Sequence, residues 1–110
     1  MMYRTIEKVE QVKFVDDFSS NEALKIEDEM IFIINRGFGR LVIDISEISS
    51  IGRKALKLLE RCAELARSKN GWLVLINPSS KIRSLIRSNY SEKTIPIHLS
   101  IQSAINSQGI

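Results

Sequence analysis

Two short, nearly unbroken apolar runs punctuate the chain. Leu41 to Ile45 is interrupted only by Asp44, and Trp72 to Ile76 is not interrupted at all. Val/Ile/Leu-rich runs of this length predict strands buried on both faces. Between them the apolar period changes. Ala55, Leu58, Leu59, Cys62 and Ala66 recur at helical spacing, with Leu56, Ala63 and Leu65 flanking, which predicts a helix from about Arg53 to Ser68. Strand, helix and strand in that order predict a βαβ unit with parallel strands.

The flanking segments read as further elements of the same layout. Ala23, Ile26, Met30, Ile33 and Ile34 form a second helical stripe, opened by the capping-box spacing of Ser19 and Glu22 and running to about Arg36. Gly37 is the expected left-handed C-cap. Tyr3 to Val15 alternates apolar and polar residues, as one half-exposed strand, or as two with a turn near Val9 and Glu10. Residues 1–18 are thus an N-terminal strand or hairpin. Beyond the second buried run, Asn77-Pro78-Ser79-Ser80 is a turn that caps a short helix from Lys81 to about Ser88, and 89–93 is loop. Ile95-Pro96-Ile97 is a last strand, placed at an edge by its proline. Ser100 caps a C-terminal helix carrying Ile101, Ala104 and Ile105. The expected fold is one α/β domain over 1–110, with a small mixed sheet, parallel at its centre, and about four helices.

Composition narrows the function. The chain has 110 residues, 44% hydrophobic, enough for one core. No apolar run reaches the length of a membrane span, and charges occupy the place of a signal peptide's apolar segment, so the expected location is cytoplasmic. A net charge of +3 with scattered aromatics gives no nucleic-acid footprint. Cys62 is the single cysteine and falls on an apolar helix face, which reads as core. His98 has no nucleophile at a recognisable spacing, Asp44 reads as a hydrogen-bond partner of the following turn, and Asp16 and Asp17 point apart. No phosphate-loop, zinc-protease or nucleophile-elbow motif occurs, and Gly37-Phe38-Gly39 precedes a strand instead of following one. No cofactor, metal or catalytic group is expected.

The run Leu41 to Leu56, LVIDISEISSIGRKAL, resembles the core of the STAS domain, the domain of sulfate transporters and anti-sigma-factor antagonists. The resemblance continues through the helix, the Trp72–Ile76 strand, the Asn-Pro-Ser turn, the short helix and the last strand and helix, over roughly Ala23 to Ser107. The family pattern places Asp-Ser-Ser/Thr-Gly-Leu at the start of the helix. Aligned without gaps, its Asp falls on Gly52, its phosphorylatable Ser on Arg53, the second Ser/Thr on Lys54, the Gly on Ala55 and the Leu on Leu56. The resemblance implies a non-catalytic interaction module that docks the turn and helix start onto a protein partner, an anti-sigma factor or regulatory kinase. It also implies that the phosphorylation switch is missing at its usual place, since Arg53 has no hydroxyl. Ser49 and Ser50, in the turn, are candidates for a displaced acceptor. A lipid-transport ATP-binding cassette subunit is an alternative within the family.

The residues themselves permit a third reading. A helix start presents backbone N–H groups without helical partners, and Arg53 and Lys54 add two cations to them. That combination suits a partner's carboxylates, a small anion or a nucleotide, or two solvated side chains tolerated at small cost.

Overall fold

A computed structural model of the chain describes residues 2–15, 20–88, 95–98 and 100–108. Five strands and four helices follow in the order β1 (Met2–Ile6), β2 (Val9–Lys13), α1 (Ser20–Arg36), β3 (Arg40–Asp44), α2 (Arg53–Ser68), β4 (Trp72–Ile76), α3 (Ser80–Ser88), β5 (Ile97–His98) and α4 (Ile101–Gln108). The strands lie side by side in chain order in one sheet. β1 runs antiparallel to β2, and every other neighbouring pair is parallel. The expected fold class is therefore the observed one, with the two apolar runs as adjacent central strands.

Alternation along the strands divides the core between the two sheet faces. Leu41, Ile43, Leu73 and Leu75 point to one face, where they meet Met30, Ile33 and Ile34 of α1 and the apolar side of α2. Ile82 and Ile86 of α3 join the same cluster. Leu56 and Ala63, expected to flank the α2 stripe, are fully inside, so its buried face is wider than the strict spacing predicted. Val42, Val74 and Ile76 point the other way, with Val9, and α4 covers them with Ala104 and Ile101. Ser100 caps α4 as expected, its Oγ accepting the Ser103 N–H at 3.1 Å. Ser79 does the same for α3, its Oγ accepting from Ile82 at 3.2 Å. The capping residue expected at Ser19, the Asp16-Asp17 pair and the 89–93 loop lie outside the described residues.

Two turns differ from expectation. The N-terminal segment is a hairpin, but it turns at Glu7 and Lys8, with φ of 51° and 69°, and not at Val9 and Glu10. Two successive positive φ values are the signature of the tight turn that matches strand twist; Glu-Lys carries none of the usual Asn-Gly chemistry that announces it. Glu10 instead lies within β2 and is buried, with its Oε2 accepting the Thr5 hydroxyl at 2.6 Å.

The left-handed residue after α1 is Gly39, with φ of 72°, and not Gly37. A Cβ at Gly37 would meet the Glu10 carboxylate, which would have to shift to make room. Where α2 ends, Asn70 takes the left-handed conformation, with φ of 63°. Gly71 is needed because its backbone packs directly on the carbonyl of Gly39, leaving no room for a side chain. The backbone carries this contact further, as Trp72 N–H donates to Gly39 O at 2.8 Å.

Candidate functional site: the start of the second helix

The turn between β3 and α2 is built by pinning its start and burying two of its apolar residues. Ile45 N–H donates to Ile76 O at 3.2 Å, extending the β3–β4 ladder one residue past the strand. Asp44 is the last residue of β3, and its Oδ1 accepts the Ser46 N–H at 2.9 Å, so the side chain turns the chain out of the sheet. Lys13 Nζ lies 3.1 Å from Glu47 Oε2, tying the turn to β2. Ile48 and Ile51 point down into the core, while Ser46, Glu47, Ser49 and Ser50 are exposed.

Gly52 is the N-cap of α2, with φ −86° and ψ 168°, and makes no side-chain cap hydrogen bond. Its carbonyl accepts the Leu56 N–H at 3.0 Å, the first bond of the helix. No acidic residue occurs in the first turn. Gly52, Arg53 and Lys54 are all exposed, whereas Ala55 and Leu56 are buried. Of the five motif positions, three therefore form the surface and two hold the helix against the sheet. Lys57, one turn along and also exposed, extends the cationic surface. Its i,i+4 spacing from Arg53 was available in the sequence but was overshadowed by the motif positions.

The remaining candidates fall elsewhere. Cys62 is buried in α2, and burial pushes its thiol up to about 12. His98 is half-buried at the β5 edge; its Nδ1 lies 3.5 Å from Ser103 Oγ, and its buried Nε2 has no partner among the described residues. Cys62 faces the core, and His98 lies on β5, two strands from the strand that leads into α2. Among the described residues no group of His, Cys, Asp and Glu is arranged to hold a metal ion, and no helix is long and apolar enough to cross a membrane.

The sequence resemblance rested on the Leu41–Leu56 run and on the order of the elements that follow it, and the structure has those elements in that order. The STAS domain profile matches residues 1–104, and the chain belongs to the STAS domain family. A search of curated protein sequences gives no match. Among solved structures, the chain is similar to an anti-sigma factor antagonist of Thermotoga maritima, with a TM-score of 0.89 at 16% identity, over 96% of this chain and 92% of that one. It is also similar to the anti-sigma factor antagonist SpoIIAA in its unphosphorylated form, with a TM-score of 0.81 at 12% identity, over 99% of this chain and 96% of the other. A murine solute carrier 26 anion transporter contains the same fold in 18% of its chain, with a TM-score of 0.78 at 14% identity over 94% of this one. These identities establish a shared fold.

Proposed function

We propose that this protein is a non-catalytic, cytoplasmic interaction module of the anti-sigma-factor-antagonist kind. Its partner, an anti-sigma factor or a regulatory kinase, docks on the Ser46–Gly52 turn and the exposed first turn of α2. The observation that supports this reading best is the helix start itself. Gly52, Arg53 and Lys54 stand exposed on a turn anchored by Ile48 and Ile51, in a chain of the STAS family.

Arg53 occupies the family's acceptor position and presents a guanidinium in place of a hydroxyl. The association therefore persists whatever the state of a kinase acting at that position. Arg53, Lys54 and Lys57 together select a partner surface rich in carboxylates. Affinity capture from the source cell with the wild-type chain and with Arg53→Glu/Lys54→Glu tests this. A regulatory kinase-like or anti-sigma-like protein retained by the first and lost by the second supports the docking surface. Equal retention by both places the interface elsewhere.

A further inference from the structure

Parallel strands put all their entrances at one end of a sheet. β2, β3 and β4 run the same way, so the Glu7–Lys8 turn, the α1–β3 connection and the α2–β4 connection all lie at that end. The α2 start lies at the other, about 24 Å away along the 16-residue helix. Direct contacts hold the three turns together. The Lys8 ammonium sits over the Phe38 ring, 5.5 Å from its centroid. Trp72 N–H donates to Gly39 O at 2.8 Å, and a Cβ on Gly39 would lie 3.4 Å from that of Lys69. Lys8, Phe38 and Lys69 therefore share one surface, and Lys8 and Lys69 are exposed on it.

Helix α1 brings a second ring toward this end. Phe32 lies one turn before Arg36, whose guanidinium stands 6.0 Å from the ring centroid. Phe32 is 59% exposed and Phe38 54%. A cation at a helix C-terminus, as Arg36, Arg67 and Lys69 are, is ordinary and offsets the dipole. Two phenylalanines more than half exposed, each beside a cation, are a patch that dipole compensation does not account for. Little negative charge opposes it. Glu7 is the exposed acid in these turns, while Glu10, against Gly37, is buried and accepts the Thr5 hydroxyl.

We infer that this end of the domain binds the surface of an anionic lipid bilayer, with the Phe38 and Phe32 rings entering the interface and the cations lying among the headgroups. Charge complementarity selects a negative surface. The rings select one that yields. They stand on different elements, a turn and a helix, and a folded protein partner would need a pocket for each, whereas a headgroup layer admits an apolar side chain wherever it stands. The attachment is peripheral, since no helix among the described residues is long and apolar enough to cross a membrane. Seated this way, the chain turns the α2 start away from the bilayer. The site is separate from the docking surface proposed there and does not rest on it.

Flotation of the full chain with lipid vesicles tests the inference. The chain should bind vesicles of equal parts phosphatidylglycerol and phosphatidylcholine, and not vesicles of phosphatidylcholine alone. Binding should fall steeply between about 0.1 and 1 M salt, as the screening length shrinks from about 10 to 3 Å. Lys8→Gln/Lys69→Gln should weaken it about 25-fold, or about fivefold per cation. Phe38→Ala should weaken it about tenfold. Bicelles of the anionic mixture carrying a nitroxide-labelled lipid should broaden the amide NMR signals of Lys8, Phe38 and Asn70 most, and leave those of Arg53 and Lys54 sharp. The vesicle comparison and the broadening use the wild-type chain, so they hold even where a variant fails to fold. The inference is overturned by no binding to anionic vesicles at about 0.1 M salt, by equal binding to neutral ones, or by broadening centred on the α2 start. Binding of a polyglutamate peptide without binding of vesicles also overturns it, and makes the patch a protein-docking surface.

Discussion

Arg61 and Glu27, 34 residues apart in sequence, meet across the α1–α2 contact in a two-pronged ion pair, with Arg61 Nε to Glu27 Oε2 at 2.6 Å and Arg61 Nη2 to Glu27 Oε1 at 3.0 Å. The Arg61 hydrogen bond holds the Glu27 carboxyl below its ordinary value, and Glu27 raises the guanidinium in return. The Glu27 pKa is thus lower folded than unfolded, so the pair's contribution is present above the ordinary carboxyl pKa and is lost as pH falls below it. Arg61 is more than half exposed, which limits the pair to about 0.5–1 kcal/mol. Chemical denaturation of Glu27→Gln at pH 7 should show that loss, and the difference from wild type should vanish toward pH 3.

Gly71→Ala should be far more damaging than its size suggests. The added methyl would fall on the Gly39 carbonyl, which is backbone and cannot rotate away. A loss of about 2–4 kcal/mol is expected, read as a large drop in Tm. Gly52→Ala is the control, since nothing lies within 4 Å of a Cβ there, and at this N-cap it should cost no more than about 1 kcal/mol.

The hairpin turn offers a gain. Glu7 and Lys8 both hold positive φ, a conformation that disfavours residues with a side chain. Replacing them with Asn-Gly should raise stability by about 1 kcal/mol. The loss of the Lys8 ammonium from over the Phe38 ring, 5.5 Å from its centroid, offsets part of this. Urea unfolding of the double variant Glu7→Asn/Lys8→Gly checks it; a loss of stability would show that the side-chain contacts outweigh backbone strain.

At the α2 start, stability and docking should move in opposite directions. Arg53→Glu/Lys54→Glu removes two cations from the positive end of the helix dipole and should stabilise the fold by about 0.5–1 kcal/mol, a Tm rise of about 2–8 °C, while weakening partner capture. Gly52→Asp supplies the missing cap and should add a similar amount. On the proposed reading, adding Arg53→Ser supplies a hydroxyl at the acceptor position, and incubation with an anti-sigma-type kinase and ATP should add one phosphate by mass. The wild-type chain should gain none at this position.

How far the sequence could be read follows from what sets each feature. The central strands and α2 were legible because burial on two faces and a 3.6-residue period are local signals, carried by Leu41–Ile45, Trp72–Ile76 and the Ala55–Ala66 stripe. The helix start at Arg53 was legible for the same reason, since Ala55 and Leu56 open the stripe. The hairpin turn was not, because Glu-Lys resembles any solvated pair and its positive φ values are imposed by strand pairing. The left-handed residue after α1 was expected at Gly37 and is Gly39, and the need for glycine at Gly71 is set by a distant group, the Gly39 carbonyl, that sequence spacing does not reveal.

The sealed sulfur of Cys62 gives the protein a built-in clock for its own opening. A thiol pushed up to about 12 on the buried face of α2 has almost no thiolate at neutral pH. Alkylation can proceed only when the packing around α2 opens, so the labelling rate counts those excursions in the unmodified chain. Any occupant that clamps α2, such as a docked protein, slows the count without a dye or a tag.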